Sequence, residues 1–484
     1  MFIRIFVLLI LPTYILSAQS IKTSATYKIS NRVEKAQILG KTSGGLVIRK
    51  TGSIEIIELY SKELNLLSSK NIDTRDQFVM RVDIINDKIV YYFIKIQDSI
   101  AQINASIYDA NLKLITEYKE ITTFMMNKGE SAKNFKVSSS QGAMYTAIVK
   151  STEIEDCVTK IEIAVVDLNI DLEYLKQIDI KEEADKKRGI KKTLVDLEGK
   201  VYVILDYKSN KILTEEFKDF SVYKVSKEEA TIKSDFILEE EIYDSPKYIF
   251  DYKNHKIILT SLYDNLNRGE PGSTGILYYK INAVDLKLEI KSHEIYAKKF
   301  LATLTGKDIN TVQEKLLTFK LKDIILTQEG NPIVFAESFF QSTETIRLQS
   351  SYFSNNNLVE NRTINVFNFN DIVGFQFDEN GKVSKEYILR KKQITEDDGG
   401  NFSSYILVNN GNKITFLHTE GLGYNVDFVA QNLNGEGIAE RKVVVADIDK
   451  NAPYLVKMAK QISLSEVIIP SFRNNTFRLI KLSF

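Results

Sequence analysis

Cysteine and tryptophan are nearly absent from this chain. Its 484 residues include one cysteine, Cys157, and no tryptophan. A single cysteine excludes a disulfide within the chain. The fold must therefore be stabilised by its core, which a chain of this length can supply. We interpret Cys157 as a small residue on a strand; an exposed, reactive thiol is the alternative.

The chain also lacks an excess of charge of either sign. Lysine and arginine together number 64, and so do aspartate and glutamate. A chain with no net charge creates no overall field that would attract nucleic acid or an anionic membrane surface. Runs of mixed sign such as Lys181–Lys192 are typical of solvated loops. We therefore predict no nucleic-acid partner.

Histidine is scarce, and the motifs of common active sites are missing. His255, His293 and His418 lie far apart, without the close spacing of a metal site. The chain has no G-x-S-x-G elbow, Walker loop or dinucleotide-binding fingerprint. We interpret all three histidines as structural. No catalytic, cofactor-binding or metal-binding residue is assigned from the sequence, and no cofactor is expected.

Two acidic segments are the remaining candidates for a metal site. Asp447–Asn451 alternates oxygen ligands as a calcium loop does, but Ala452 stands where such a loop needs glycine. Glu396–Asn401 is an acidic loop with two glycines that could hold a calcium ion. For both segments we favour an exposed turn.

A pronounced hydrophobic run occurs near the amino terminus. Arg4 precedes the apolar Ile5–Leu11, which Pro12 interrupts, and Ala18 is a small residue suited to cleavage. We predict that residues 1–18 are a signal peptide. The run is too short to span a bilayer and no comparable one follows, so no transmembrane segment is expected in the mature chain. The Ile-, Lys- and Asn-rich composition indicates a bacterial source, and we expect a periplasmic or cell-surface location.

What the sequence does contain is a repeated β-hairpin. In Tyr108–Ile121 a strand rich in aromatic and apolar residues runs into a short Asp/Asn turn, and an alternating strand leaves that turn. Similar segments, some of them looser copies, occur at Tyr60–Ile72, Val166–Ile180, Tyr223–Leu238, Asn282–Ile295, Phe375–Leu389 and Ala430–Val444.

The spacing of these hairpins predicts a β-propeller. Most copies start 48 to 59 residues after the previous one, and one starts 93 residues after it. A four-stranded repeat of about 40–50 residues is typical of a propeller blade. We predict an all-β fold in which residues 19–484 form a single propeller of seven blades, with six and eight as the limits. Thr476–Phe484 is expected to pair with Thr26–Ser30 and close the ring.

The longest step between hairpins contains the one persuasive helical pattern. Val312, Leu316, Leu317 and Phe319 have approximate helical spacing, and Asp308 or Asn310 could cap the helix start. We predict a helical insertion over 296–323, with its helix near 297–320, at the junction of the fifth and sixth blades. It either packs on the propeller rim or docks a partner. Strands are predicted at Asn331–Ser342 and Thr345–Phe353, followed by an exposed loop at Ser354–Arg362.

The last quarter of the chain resembles a family of exported bacterial propeller-like proteins. In Asp371–Gln393 a strand, a D-x-x-G hairpin and a K-x-Q segment follow one another. Asp397–Glu420 then leads to a strand that ends in an Asn-rich turn at Asn409–Lys413, and the likeness continues loosely through Leu455–Pro470. The resemblance implies an exported propeller-like fold. It implies no particular activity.

Two hypotheses about function remain from the sequence. The first is a non-enzymatic exported propeller that binds another envelope protein or a surface ligand, since long loops on a rigid scaffold commonly bind partners. The second is a hydrolase or lyase that acts on glycans or peptides with acidic residues lining the central channel. We favour binding, because the chain lacks motifs for chemistry.

Overall fold

The computed structural model describes most of the chain. The described residues are 20–30, 33–154, 157–180, 188–207, 219–238, 241–242, 246–264, 272–349, 359–411, 413–422, 425–433, 439–448, 453–473 and 475–484. The predicted signal peptide, residues 1–18, lies outside them. Parts of Lys181–Lys192, Ser354–Arg362 and Asp447–Asn451 lie outside them as well.

Within these ranges the strands form eight antiparallel units of four strands, which are the blades of a propeller. Blade 1 contains β3 (Val33–Thr42), β4 (Gly45–Gly52), β5 (Glu55–Tyr60) and β6 (Leu66–Ile72). Blade 2 contains β7 (Phe78–Ile85), β8 (Lys88–Gln97), β9 (Ile100–Tyr108) and β10 (Leu114–Met125). Blade 3 contains β11 (Phe135–Ser139), β12 (Thr146–Ile154), β13 (Cys157–Val166) and β14 (Leu172–Asp179). Blade 4 contains β15 (Arg188–Val195), β16 (Val201–Tyr207), β17 (Asp219–Val225) and β18 (Ile232–Ile237).

The remaining blades carry the additional elements. Blade 5 contains β20 (Lys247–Asp251), β21 (Lys256–Asp264), β22 (Gly275–Asn282) and β23 (Leu288–Ile295), with the short β19 (Glu241–Ile242) also on β21. Blade 6 contains β24 (Phe319–Leu326), β25 (Pro332–Gln349), β26 (Val359–Phe377) and β27 (Val383–Leu389). Blade 7 contains β29 (Tyr405–Asn409), β30 (Ile414–Leu422), β31 (Asn425–Leu433) and β32 (Ala439–Val445), and β28 (Gln393–Glu396) links β26 to β30. Blade 8 contains β33 (Lys460–Ser463), β34 (Glu466–Arg473), β35 (Thr476–Ser483) and β1 (Ser20–Thr23), with β2 (Tyr27–Lys28) also on β35.

The described helices are short. They are the α-helix α1 (Lys298–Thr305) and 3₁₀ turns at Ala132–Asn134, Gln141–Ala143 and Val456–Met458.

Burial explains why the middle strands of each blade have long apolar runs. In β8, Ile89–Ile94 are all buried, because neighbouring blades cover both faces of the sheet. The outermost strands, such as β14, alternate and are partly exposed, since only their inner face and edge are covered.

Eight hydrophobic clusters join the blades pairwise around the ring. Each cluster takes buried residues from two consecutive blades. The cluster that joins blade 8 to blade 1 contains Ile468 and Leu479 from blade 8 and Ile48 and Tyr60 from blade 1. The ring of blades is therefore closed.

The repeated hairpin is the connection between the third and fourth strands of a blade. In the Tyr108–Ile121 copy, the Asp109 carboxylate accepts hydrogen bonds from the backbone N–H groups of Asn111 (2.9 Å) and Lys113 (2.8 Å). Leu112 stands in the left-handed region at φ 65° and is 4% exposed. The turn thus places a large apolar side chain in the contact between blades at the expense of backbone strain.

The first seven blades each contain one hairpin copy, whereas the eighth has none. Its outermost strand is β1, which pairs with β35 from Ser20↔Ser483 to Thr23↔Ile480. A strand supplied by the other end of the chain needs no turn, so a count of turns misses this blade. The predicted pairing of Thr26–Ser30 with Thr476–Phe484 is confirmed at Tyr27↔Phe477 and Lys28↔Thr476. The all-β propeller is confirmed, and the described strands reach the upper limit of the predicted blade count.

The inserted helix lies at the predicted junction but is shorter than predicted. It covers Lys298–Thr305, and Phe300, Leu301 and Leu304 are buried against blades 5 and 6. The expected helical spacing of Val312, Leu316 and Leu317 was wrong: these residues follow the helix, and Phe319 begins β24. The predicted capping by Asp308 or Asn310 was also wrong, because Ala297 occupies the cap position without a side-chain hydrogen bond.

Within the described residues, the strands predicted at Asn331–Ser342 and Thr345–Phe353 are parts of one long strand; 350–353 lie outside those residues. β25 runs without interruption over Pro332–Gln349 and pairs with β26 from Ile333↔Gln376 to Gln349↔Val359. The inner strand β24 pairs only with Pro332–Ser338. Beyond Ser338 the two strands therefore extend past the blade as a projecting hairpin.

Candidate binding site

The departures from the regular blade lie on one face of the ring. We call this the upper face; it is where the first strand of each blade begins and where the second and third strands connect. Helix α1, the hairpin of β25 and β26, and strand β28 all belong to it. The lower face contains the short turns that follow the first and third strands. The upper face of blades 6 and 7 is therefore the first place to look for a functional site.

A buried ion pair lies at the base of the projecting hairpin. The Glu337 carboxylate, near the end of the paired part of β25, lies 2.7 Å from the Lys391 ammonium. Lys391 also donates to the Phe369 carbonyl (3.0 Å) and to Gln393 Oε1 (2.6 Å). Burial lowers the pKa of Lys391, and the Glu337 charge opposes this shift.

A polar network connects this pair to blade 7. Gln393 Oε1 accepts from the Ser404 backbone N–H (2.8 Å), and its Nε2 donates to Thr419 Oγ1 (2.9 Å). The Ser404 hydroxyl donates to Glu337. Ser404 has φ 78°, a strained value for a residue with a side chain. The network holds the segment before β29 in a conformation that the backbone alone disfavours.

Lys322 brings a second ammonium group to Glu337. In the pairing of β24 with β25, Leu321 lies opposite Ala336 and Asp323 lies opposite Phe335, so Lys322 is the extra residue of a β-bulge. A bulge redirects a side chain. The ammonium group donates to the Tyr405 carbonyl (2.6 Å) and to the Ser404 hydroxyl, and lies 3.8 Å from Glu337.

The electrostatics of Lys322 differ from those of a surface lysine. Its pKa is lowered to about 8, chiefly by burial; the Glu337 and Asp323 charges oppose this shift, and the Lys391 and Lys457 charges add to it. About 28% of its side-chain surface remains exposed. Lys322 is therefore accessible to solvent and is partly neutral near pH 8.

Lys322 lines a cavity of about 260 Å³ between the inner strands of blades 6 and 7 and the 3₁₀ turn before blade 8. Asp323, Tyr405 and Lys457 also line it. The Lys457 ammonium lies 4.3 Å from the centre of the Phe369 ring. Burial lowers the pKa of Lys457 as well.

Buried lysine–glutamate pairs occur elsewhere in the described residues, so this one is not evidence of function by itself. Lys50 lies 2.6 Å from Glu58 in blade 1, and Lys150 lies 3.0 Å from Glu162 in blade 3. Each of those pairs joins neighbouring strands of one blade. The Glu337 site differs because it joins two blades and has further lysines beside a cavity.

The residues considered in the sequence do not converge on a site. His255 lies in the turn before β21, and His293, on β23, lies 3.1 Å from the Tyr279 hydroxyl. His418 is fully buried on β30, and its Nδ1 lies 3.1 Å from the Thr419 carbonyl. Cys157 begins β13 and is partly buried. In the described part of the chain, no group of three or more His, Cys, Asp or Glu side chains could hold a metal ion.

The acidic loop Glu396–Asn401 uses its carboxylates to fix its own backbone. Asp398 accepts from the N–H groups of Gly400 (2.7 Å) and Phe402 (3.1 Å) and from the Thr395 hydroxyl (2.8 Å). Asp397 accepts from the Asn365 N–H (2.9 Å) of the projecting hairpin. The loop is thus part of the support of the upper face.

Sequence reasoning missed the Glu337 site, although one signal for it was present. The K-x-Q segment corresponds to Lys391 and Gln393, both of which are buried in the network. A buried lysine and glutamine in a segment between strands need partners. Glu337 and Lys322 could not be identified as those partners, because they lie more than fifty residues earlier in the chain.

Comparisons with known proteins go no further than the fold. No family model matches the chain, and no curated protein matches it. Solved structures that it resembles include the β-propeller domain of the trilobed protease from Pyrococcus furiosus, at 13% identity and TM-score 0.35, over 85% of this chain and 94% of that one. An ulvan lyase is similar at 9% identity and TM-score 0.38, over 84% and 93%. A prolyl endopeptidase is similar at 9% identity and TM-score 0.38, over 91% of this chain and 53% of that one.

The class of protein defined by the chain's own sheets is a β-propeller. The similarities to solved structures are too weak to carry an argument about activity. Within the described residues, no helix has the length and apolar character that a membrane crossing would require.

Proposed function

We propose that this protein is an exported, non-enzymatic propeller of the cell envelope that binds another envelope protein through its upper face. The observation that carries the proposal is that the additions to the repeat lie on that face. The projecting hairpin extends eleven residue pairs beyond blade 6, from Phe339↔Phe369 to Gln349↔Val359. Helix α1 is less suited to docking, because its apolar residues are already buried against blades 5 and 6.

The support of the hairpin favours a binding role. β28 pairs with Val366–Phe369 of β26, and the Glu337 network joins this extra sheet to blade 7. Fixing a projecting element in advance reduces the entropy that is lost when it binds. A hairpin held in this way is a suitable recognition element.

The test is purification of the tagged protein from cross-linked native cells, followed by mass spectrometry. One variant joins Ser342 to Val366 by an Asn-Gly turn, which shortens the hairpin but keeps the pairing with β28. The control variant carries Val284→Ser and Leu464→Ser, two exposed positions in turns of the lower face. We expect a stoichiometric partner whose recovery falls at least tenfold with the short hairpin and is unchanged in the control. Equal recovery with both variants, or no partner at all, would refute the proposal.

The alternative is a glycan- or peptide-acting hydrolase or lyase. One observation favours it: Lys322, with its lowered pKa, donates to the Ser404 hydroxyl beside a cavity. A lysine that loses its proton readily can act as a general base. Ser404, however, is buried, and the cavity-lining carboxylate is Asp323. This alternative predicts turnover in a screen of polysaccharides and peptides, lost in Lys322→Met; an inactive wild-type chain would exclude it.

A further inference from the structure

One edge of the projecting hairpin is open. β24 covers β25 only as far as Ser338, and the hydrogen bond that follows on this side runs from the Phe339 backbone N–H to the Thr318 carbonyl (2.9 Å). Beyond Phe339, the only strand of the described chain that pairs with β25 is β26. A strand at the edge of a sheet presents a row of unpaired N–H and C=O groups. In the described structure, the edge of β25 that continues the line of β24 is therefore uncovered from Gln341 to Gln349.

The hydrogen bond of Phe339 fixes which residues face the open edge. In an antiparallel strand the N–H and C=O groups of one residue point to the same side, and successive residues alternate between the two sides. Because Phe339 faces the side of β24, the odd-numbered residues of 341–349 face the open edge and the even-numbered ones face β26. The pairing stays in register from Phe339↔Phe369 to Gln349↔Val359, so no bulge interrupts this alternation.

The opposite edge of the hairpin supports this assignment and is closed near its base. The Asp397 N–H donates to the Asn365 carbonyl (2.9 Å), and the Asn365 N–H donates to the Asp397 carboxylate (2.9 Å). Asn365 lies opposite Thr343 and faces away from β25, as the odd-numbered residues of β25 face away from β26. Next to Asn365, β28 pairs with Val366–Phe369. The fold thus covers the base of the β26 edge and leaves the β25 edge open.

The open edge also lacks the devices that commonly prevent strand addition. Native edge strands are protected by lysine, proline or bulges, or are very short. Residues 339–349 contain no lysine, proline or glycine, and Glu344 and Arg347 are their only charged residues. In contrast, the outermost strand of each of the eight blades contains a lysine. Six of those eight strands also pair through a register shift.

We propose that the open edge of β25 binds an extended segment of the partner protein as an added β-strand. The inference rests on the proposed docking at the projecting hairpin and specifies how the partner binds there. Main-chain hydrogen bonds to Gln341, Thr343 and Thr345 hold the segment, and its side chains alternate between the two faces of the hairpin. The partner must therefore offer a segment that can extend and that has no proline at the pairing positions.

The test is the cross-linking purification with a variant that alters the edge and keeps the hairpin paired. Thr343→Pro/Thr345→Pro removes two N–H groups that face the open edge, a position where a strand tolerates proline. Thr343→Val/Thr345→Val is the matched control, because valine keeps both N–H groups and the β-branched shape. Each main-chain hydrogen bond contributes about fivefold to affinity, so recovery of the partner should fall about tenfold or more with the proline variant. Equal recovery with the proline and valine variants would overturn the proposal.

The pattern of outcomes separates strand addition from docking as such. If the short-hairpin variant loses the partner and the proline variant keeps it, docking at the hairpin stands and strand addition is wrong. If the short-hairpin variant keeps the partner, the proposed function fails and strand addition fails with it. If the edge retains only a second, differently tagged copy of this chain, the assignment of the edge to a partner protein is overturned.

Hydrogen exchange of single amides in the wild-type chain gives an independent readout, which holds even if the proline variant loses its hairpin. In the free chain the amides of Gln341, Thr343 and Thr345 should exchange fast, and those of Ser342 and Glu344, which face β26, should exchange slowly. Binding of the partner should make the first set slow as well. In the free proline variant, slow exchange at Ser342 and Glu344 shows that the hairpin is intact. Fast exchange of the odd-numbered amides in the wild-type complex would overturn the proposal.

Discussion

The burial of His418 predicts a loss of stability in mild acid. Its side chain has no exposed surface, and Nε2 makes no hydrogen bond within the described residues. Burial lowers the pKa of His418 from 6.5 to about 3; the charges of Lys391 and Arg441 contribute in the same direction, and the Thr419 carbonyl opposes them. Between these two values the unfolded chain binds a proton that the folded chain does not. The free energy of unfolding must therefore fall as the pH is lowered.

The magnitude follows from the width of that pH window. Each pH unit corresponds to about 1.4 kcal/mol, so lowering the pH from 6.5 to 4 removes about 3 kcal/mol of stability through this one group. His418→Phe keeps a ring in the site and removes the ionisation. The variant should therefore lose about 3 kcal/mol less than the wild type between pH 7 and pH 4.

Urea unfolding followed by far-ultraviolet circular dichroism measures this difference, since the chain has no tryptophan for fluorescence. Carboxylates also titrate in this range, but they contribute equally to both proteins and cancel in the comparison. His255→Gln is the control, because His255 is exposed in a turn and should leave the wild-type pH dependence unchanged. If wild type and His418→Phe lose stability in parallel, the explanation by burial is refuted.

Three further predictions concern the fold. Lys391→Met leaves the Glu337 carboxylate buried without its nearest cation and should lower the free energy of unfolding, measured in urea, by about 3–5 kcal/mol. The Glu337→Gln/Lys391→Met double variant should regain most of this lost stability. A double variant no more stable than Lys391→Met would contradict the pairing. Leu112→Gly removes about 1–2 kcal/mol of left-handed backbone strain but also removes a buried side chain that contributes about 2–5 kcal/mol of stability. The free energy of unfolding should therefore fall. A stabilised variant would show that the strain is the larger of the two. Removal of Ser20–Thr23 exposes the edge of β35 and should shift the protein to larger species in size-exclusion chromatography; an unchanged elution volume would argue against the role of β1 in covering this edge.

The repeat of the propeller was predictable because its turn chemistry is local. An aspartate that accepts from the N–H groups two and four residues later produces the same short-range pattern in several blades, as at Asp109, Asp167 and Asp378. The eighth blade was not visible in this pattern, because β1 is joined to β35 by pairing across the two ends of the described chain and not by a turn. Closure of the ring, in contrast, followed from the alternation of Thr476–Phe484.

The helix was predicted too long because buried positions in a loop can mimic helical spacing. Val312 and Leu316 pack into the cluster between blades 5 and 6 without being helical. The pattern of apolar residues reports burial, and burial does not require a helix. The helix ends at Gly306, whose φ of 69° lies in the left-handed region that glycine commonly adopts at the end of a helix.

The candidate site could not be predicted because its charges come from separate parts of the chain. Lys322 precedes Glu337 by one strand, Lys391 follows two strands later, and Lys457 lies near blade 8. Their convergence depends on the packing of neighbouring blades and on a bulge at Lys322, and neither is encoded by a motif. A buried ion pair also adds little to stability compared with apolar residues of similar volume, so stability alone does not explain its presence.

Several exceptions to the local rules of this chain lie together around Glu337. Ser404 has a strained backbone, Lys322 occupies a bulge, and Glu337 and Lys391 are buried charges, yet each contacts at least one of the others. In the other blades, positive φ values occur in turns, some of which bury an apolar side chain, as Leu112 does. Sequences that depart from consistent local rules commonly do so at functional sites. The departures around Glu337 support both the projecting hairpin and one wall of the cavity, which is why the proposed function is placed on the upper face.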